Sequence, residues 1–403
     1  MRKRILSIIL TAALVLLNVV SALPALALGT REVYSGDCGD NLTWTLDTET
    51  GVLTISGTGD MYNYNSNSFP WYSYKNYVIS VEIGDGVTSI GEYAFYDCSE
   101  LISVGIGNGV TSIGYAAFRS CSSLTSAIIP DSVTSMGNHA FSYCASLTSV
   151  EIGNGVTSIG SHAFYSCASL ISVEIPYGVT GINGGTFCFC TSLVSVLIPD
   201  SVTSIGGSAF NGCTSLAAIE IPDSVTGIGN FAFYNCTALT SIDIPDSVTT
   251  VSGDAFNGCT ALASIGIPDS VTSIGNQAFK NCTSLTSALF MGAPPTDFGS
   301  GVFESCADDF CIYYTAEHAD EWAPNGETSW NGYPTALWVE PAPSGDADGD
   351  GTVDSSDALI ILRYALGIVE LPCDESVCDM DENGVVDSAD ALIVLRISLG
   401  IAK

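Results

Sequence analysis

Residues 219–241 read IEIPDSVTGIGNFAFYNCTALTS, and residues 242–264 follow as IDIPDSVTTVSGDAFNGCTALAS. The two stretches align without a gap at an offset of 23 residues, and the same spacing divides Val81 to Ser287 into nine consecutive units. A tenth, degenerate unit begins at Ala288 and loses the pattern after Cys306. A fixed period of this size marks a solenoid, in which each turn of chain buries its apolar side against its neighbours. In the unit that starts at Val196 the recurring positions are Val196, Ile198, Val202, Ile205, Phe210, Cys213 and Leu216. Stacking places each over its counterpart in the next unit, so the interior is predicted to consist of ladders of identical side chains. Alternation about Ile219 and Ile221 fits one strand per turn, adding up to a parallel sheet. Pro222-Asp223-Ser224 turns the chain after that strand, and Ala209-Phe210 is expected to open a short helical turn on the opposite side.

The run Leu216-Ala217-Ala218-Ile219-Glu220-Ile221 has the L-x-x-L-x-L form of a leucine-rich repeat strand. The full unit, I-P-x-x-V-T-x-I-G-x-x-A-F-x-x-C-x-x-L, resembles the bacterial surface-antigen leucine-rich repeats of BspA type, over residues 31–338. Segment Ser35 to Tyr74 is similar to the N-terminal cap of such proteins, and Cys311 to Trp338 to the C-terminal one. Caps are expected because an open solenoid end exposes core side chains and unpaired backbone. The resulting order is an export signal at 1–27, an N-terminal cap at 28–80, a solenoid at 81–311, a C-terminal cap at 312–339, a linker at 340–345 and a separate module at 346–403.

The 403 residues carry 43 acids against 10 bases, a formal charge of −33, while the charged fraction is only 13%. The imbalance therefore reflects scarce bases more than abundant acids, and such a surface repels phosphate backbones, which argues against nucleic acid as a partner. Hydrophobic residues at 47% argue against disorder. Arg2, Lys3 and Arg4 precede an apolar run from Ile5 to Val20, and Ala25-Leu26-Ala27 offers a small-residue cleavage site. The expectation is secretion, extracellular or cell-surface location, and a mature chain without a membrane anchor.

Nine cysteines, Cys98, Cys121, Cys144, Cys167, Cys190, Cys213, Cys236, Cys259 and Cys282, share one repeat position, continued by Cys306. Equivalent thiols offer no unique pairing, and a small buried thiol packs well, so a ladder of free cysteines is the expected reading over a disulfide or metal array. Tyr93, Tyr96, Tyr115, Tyr143, Tyr165, Phe189, Phe231 and Tyr234 lie beside the Ala-Phe pairs, where they either meet a ligand or cover the coil and touch one another. Glu82, Glu151, Glu174, Glu220 and Asp243 are expected to project from the sheet face as a solvated stripe. His139 and His162 should stack, without a third ligand for a metal. No H-E-x-x-H, G-x-S-x-G or other catalytic constellation is present, and the chain is not expected to be an enzyme.

After Glu340-Pro341-Ala342-Pro343-Ser344-Gly345 the composition changes abruptly. DADGDGTVDSSD, Asp346 to Asp357, is followed by ALIILRYALG, and 33 residues later DMDENGVVDSAD, Asp379 to Asp390, is followed by ALIVLRISLG. Oxygen ligands at positions 1, 3, 5, 9 and 12, with Gly at 6, spell an EF-hand-type calcium loop. In the first loop these are Asp346, Asp348, Asp350, Asp354 and Asp357, with Gly351 at the turn and the Thr352 carbonyl at position 7. In the second they are Asp379, Asp381, Asn383, Asp387 and Asp390, with Gly384 at the turn and the Val385 carbonyl at position 7. Carboxylates at this density repel until a hard divalent cation gathers them, so two calcium ions are expected, each ordering the helix after it.

Loop followed by helix, duplicated, with Asp rather than Glu at position 12, resembles a type I dockerin over Asp346 to about Ile401. The resemblance implies a small all-α module that docks onto a cohesin of a scaffoldin, as in cellulosomes. It also implies that loop positions 10, 11, 17 and 18 meet the cohesin: Ser355, Ser356, Leu362 and Arg363, and again Ser388, Ala389, Leu395 and Arg396. The near-equivalence of the two sets suggests binding in either of two orientations. Gly367 and Gly400 stand where some dockerins carry a base, and Ala389 lacks a hydroxyl, departures that bear on the cohesin subtype. Cys373 and Cys378 are close enough in sequence to pair, which is left open. The expected function is a secreted, noncatalytic solenoid that binds a polysaccharide or protein and is carried on a polysaccharide-degrading complex. A dockerin-borne polysaccharide hydrolase with an unrecognised active site, and a surface adhesin, are the alternatives.

Overall fold

The computed structural model describes residues 32–324, 326–338, 345–373, 375–381 and 385–399, which form two compact units divided between Ala336 and Leu337. The export signal at 1–27, residues 340–344 of the linker, and Asn383, Gly384 and Gly400 lie outside them. Among the described residues no helix is long and apolar enough to cross a membrane.

The first unit opens with three antiparallel strands, β1 (Val33–Gly39), β2 (Leu42–Asp47) and β3 (Val52–Gly57). β3 then pairs in parallel with Ser80–Ile83, and the sheet continues in parallel through Ser103–Ile106, Ser126–Ile129, Ser149–Ile152, Ser172–Glu174 and Ser195–Leu197. Each residue sits beside its equivalent 23 positions on, as Val81 beside Val104. The coils at Ile219–Ile221 and Ile242–Ile244 keep these isoleucines buried outside regular strands. Pairing resumes at Ser264–Ile267 and Ser287–Phe290 and runs on to Cys311–Tyr314, so the expected cap boundary after residue 311 falls within a strand. A second row of short strands, from Ser112–Ile113 to Ser273–Ile274, follows the turn after each main strand.

The predicted ladders are present. Phe95, Phe118, Phe141, Phe164, Phe187, Phe210, Phe233, Phe256, Phe279 and Phe303 form one stack, with centroids 5.0–5.7 Å apart and planes within 16° of parallel. Centroids wider apart than strands indicate the offset stacking that the ring quadrupole prefers. Trp71 closes the stack at one end, 5.4 Å from Phe95, and Phe310 with Tyr333 closes it at the other. Beside the rings each ladder thiol from Cys121 onward donates to a phenylalanine carbonyl of the preceding coil: Cys121 to Phe95 at 3.1 Å, Cys144 to Phe118 at 3.2 Å, and so on to Cys306 with Phe279 at 3.4 Å. Burial pushes these thiols up, to about 12 for Cys144. The ladder of free cysteines is thus both packing and hydrogen-bonding material.

The structure departs from expectation on the side of the Ala-Phe pairs, where no α-helix forms in any repeat among the described residues. Two residues per repeat are left-handed there, for example Tyr93 (φ 55°) and Asp97 (φ 56°), then Ala116 (φ 50°) and Ser120 (φ 66°). Alternation of handedness aims every second N–H along the solenoid axis. Tyr93, Phe95 and Asp97 accordingly donate to the carbonyls of Tyr115, Ala117 and Arg119 in the next coil, at 2.9, 2.7 and 2.8 Å. A helix would have satisfied those donors within one coil and left the stack unbonded on this side. The conserved-period glycines allow the coils to approach: a Cβ on Gly137 would lie 2.7 Å from the backbone of Gly114 and Tyr115.

Left-handed backbone costs an L-residue about 1–2 kcal/mol. Ser208 (φ 58°) occupies the position that Gly185 (φ 65°) fills one repeat earlier. Ser208→Gly is therefore expected to stabilise the solenoid by about 0.5–1 kcal/mol net of its added chain entropy, and Ser208→Val to destabilise it. Urea denaturation measures both; a Ser208→Gly midpoint at or below that of the parent would contradict the strain.

Candidate functional site

In numbering that follows the short helix α1 (Ala319–Trp322) of the first unit, the second unit contains α2 (Ser355–Ala365), α3 (Glu375–Cys378) and α4 (Ser388–Ser398). Ala347, Ala358, Ile361, Cys378, Val386, Ala391 and Val394 form its core. The acidic loops precede α2 and α4. Asp354 caps α2, accepting from Ser356 N at 2.6 Å and Ser356 Oγ at 2.7 Å, and Asp387 caps α4, accepting from Ala389 N at 2.6 Å. Those bonds hold the Asp354 carboxyl below its ordinary range. A carboxylate at a helix N-terminus also meets the positive end of the helix dipole.

The position-12 aspartates organise the loops. Asp357 is 1% exposed, and accepts from Ala347 N at 2.7 Å and Asp348 N at 3.1 Å through one oxygen and from Asp354 N at 2.8 Å through the other. Asp390, fully buried, repeats this with Met380, Asp381 and Asp387 at the same three distances. Asp346 accepts from Gly349 N at 2.8 Å and Gly351 N at 2.9 Å, with Gly351 left-handed at φ 89° as the sharp turn requires. Asp350 takes Thr352 N and Oγ1 at 2.8 and 2.7 Å.

The folded loops bring carboxylate oxygens together. Asp346, Asp348 and Asp350 lie within 4.8 Å of one another, as do Asp379, Asp381 and Asp390. Desolvation, followed by repulsion from Asp350, Asp357 and Asp346, pushes the Asp348 carboxyl up despite a hydrogen bond from Asp350 N. Oxygen-only donor sets of this charge fit a hard cation such as calcium. Asp354 and Asp387 stand outside the triads at their caps, an arrangement suited to a ligand that acts through water. Asn383 and the second glycine turn lie outside the described residues.

All eight residues expected to meet a cohesin are exposed: Ser355, Ser356, Leu362 and Arg363 on α2, and Ser388, Ala389, Leu395 and Arg396 on α4. Four leucines join them that sequence reading did not single out. Leu359 and Leu366 flank Leu362 at helical spacing, and Leu392 and Leu399 flank Leu395, with Leu366 and Leu399 each 65% exposed. The signal was in the sequence, because A-L-I-I-L and A-L-I-V-L are apolar around the whole helix and one side had to remain outside.

On the first unit, the aromatic residues beside the Ala-Phe pairs form a continuous band. Tyr96, Tyr93, Tyr115, His139, His162, Tyr165 and Phe189 follow one another with centroids 4.9–5.7 Å apart. The two imidazoles stack as predicted, and burial, then His162 and Arg119, hold His139 below its ordinary pKa. Glu82, Glu151, Glu174, Glu220 and Asp243 are all exposed at equivalent positions of the sheet side, although the last two lie in coils without regular strand. Three described bases have partners elsewhere: Lys75 with Asp97, Lys280 with Glu304, and Arg119 over the Tyr143 ring.

Fold and loops together define a leucine-rich repeat solenoid joined to a calcium-loop docking module. The family model described as "BspA type Leucine rich repeat region" matches residues 65–194 and 180–308, more than half of the chain, and the chain belongs to that family. The model "Dockerin type I domain" matches residues 344–397. Type I dockerins bind calcium and pair with cohesins. No curated protein matches the chain. Among solved structures, a leucine-rich repeat protein from Bacteroides ovatus is similar at 24% identity and TM-score 0.50, covering 74% of this chain and 76% of that one. A leucine rich cell surface protein from Faecalibacterium prausnitzii is 27% identical with TM-score 0.33, covering 66% and 97%.

Asp357→Ala would strip the acceptor from three N–H groups, each costing about 1–3 kcal/mol if left buried and unpaired. Loss of the second unit's calorimetric transition is expected, even in saturating calcium. Chelation of the unmodified chain should lower helical circular dichroism and leave the β-signal; an Asp357→Ala module that melts like its parent would contradict the role assigned to that carboxylate.

Proposed function

We propose that this chain is a secreted, noncatalytic binding protein that attaches through a calcium-dependent dockerin to a cohesin on a scaffoldin of a polysaccharide-degrading complex. Two calcium ions serve it, one per loop. Asp346, Asp348, Asp350, Asp357, Asp354 and the Thr352 carbonyl hold the first, and Asp379, Asp381, Asn383, Asp390, Asp387 and the Val385 carbonyl the second. The ion supplies positive charge that cancels carboxylate repulsion and links folding of the loop to that of its helix. Export by the segment 1–27 places the protein outside the cell.

The observation that carries this reading is the duplicated exposed face, Leu362 with Arg363 and Leu395 with Arg396, each presented by a helix that an acidic loop starts. Apolar side chains beside an arginine are the composition of an interface centre. The solenoid then acts as the cargo, offering an aromatic band and an acidic strand face to a polysaccharide or protein ligand. Both matched regions are repeat or docking modules, which supports a binding role over hydrolysis.

If the two faces are alternatives, replacing Leu362 and Arg363 by alanine should leave cohesin affinity within a few-fold of the parent. Replacing Leu395 and Arg396 as well should weaken it at least about 100-fold. Calorimetric titration against scaffoldin cohesins in calcium reads both. Absence of binding by the unmodified chain to every such cohesin would overturn the docking role.

A further inference from the structure

The short helix α3 is the strut between the two loops. Its Val377 carbonyl accepts from Gly345 N at 2.6 Å, directly before Asp346, and its Glu375 carbonyl accepts from Asp379 N at 3.0 Å. The Glu375 carboxylate accepts from Tyr364 Oη of α2 at 2.5 Å. The first ligand of each loop is thus placed by contacts to one four-residue helix, too short to be stable by itself. A further contact ties α3 to the chain just before it, through a pair of thiols: Cys373 Sγ lies 3.0 Å from Cys378 Sγ, with Cys378 fully buried in the module core and Cys373 partly exposed. By contrast, the repeat thiols turn toward phenylalanine carbonyls, as Cys213 does at 3.2 Å from Phe187 O.

We propose that Cys373 and Cys378 are a disulfide-forming pair that locks α3 and thereby tightens calcium binding by the dockerin. The oxidant is a low-molecular-weight disulfide, RSSR. The accessible Cys373 sulfur attacks one sulfur of RSSR, forming Cys373–S–S–R and releasing RSH. Cys378 then attacks the Cys373 sulfur of this mixed disulfide, forming the Cys373–Cys378 bond and releasing a second RSH. The two cysteine protons leave on the two RSH molecules, and RSSR takes up the two electrons. The partition of exposure suits this order, because the outer sulfur meets the reagent and the buried one completes the exchange. Closing a six-residue ring removes conformations from the metal-free chain, and by loop-closure entropy this is worth up to about 40-fold in calcium affinity.

The full chain is incubated in calcium with oxidised glutathione or with a phosphine reductant, and a Cys373→Ser variant is treated in parallel. Peptide mapping with mass spectrometry should find Cys373 joined to Cys378 and two mass units lost in the oxidised sample only. Calcium titration should show the oxidised parent binding more tightly than the reduced parent, by up to about 40-fold, with Cys373→Ser unaffected by either treatment. Both cysteines free after oxidation, or each joined to glutathione or another cysteine, overturns the pairing; a pair that forms without changing calcium affinity overturns the coupling. Neither readout uses a cohesin, so failure here is distinct from failure of the docking role on which the biological setting rests.

Discussion

Adjacent coils of the solenoid are joined by backbone hydrogen bonds on two sides, and these bonds require each coil to be the same length as the next. On the sheet side this is the parallel pairing of residues 23 apart, such as Ser149 with Ser126. On the opposite side it is the run from Tyr93, Phe95 and Asp97 to the following coil. Once coil length is constant, rings stack on rings and thiols on carbonyls without further adjustment. The spacing widens to 24 residues in the last coil, from Ser273 paired with Asp297 to Ser287 paired with Cys311, after which Trp322 and Trp330 continue the packing. Irregularity is tolerated where there is no further coil to keep in step.

The dockerin solves a different problem, that of folding a short segment crowded with like charge. Its carboxylates are shared between backbone donors and the metal triads. Asp357 and Asp390 spend their oxygens on three N–H groups apiece. Asp354 and Asp387 start the helices, and Ser356 and Ala389, whose N–H groups they receive, stand on the exposed face proposed to meet a cohesin. Metal loop, helix start and the proposed recognition surface are therefore one covalent stretch, so that a bound cation would act on a protein contact that it does not touch.

The two faces of the solenoid have opposite characters for a physical reason. Strand residues alternate in and out, so mid-strand positions are free to be carboxylates. Beside the Ala-Phe pairs, left-handed residues hold large side chains along one line at the coil spacing, where the tyrosines meet their neighbours mainly edge to face and the two imidazoles stack. The described lysines and arginine of the unit are engaged by Asp97, Glu304 and the Tyr143 ring.

Much was legible in the amino-acid order. The 23-residue period dictated a stack, and the apolar positions of one unit, such as Phe210 and Cys213, identified the core of all of them, because translation repeats every environment. The loop spacing identified Asp346, Asp348 and Asp350 as neighbours, since residues two apart in a tight turn project toward a common centre. Three things were decided only in three dimensions. The chain around Ala209-Phe210 forms left-handed turns and not a helix, because its donors are satisfied by another coil, and local propensity cannot see a partner 22 residues away. Leu359 and Leu392 became surface, because the side of an all-apolar helix that is buried depends on where the other helix packs. The Cys373 and Cys378 sulfurs face one another because α3 turns the chain between them, a direction that a spacing of five residues leaves undetermined.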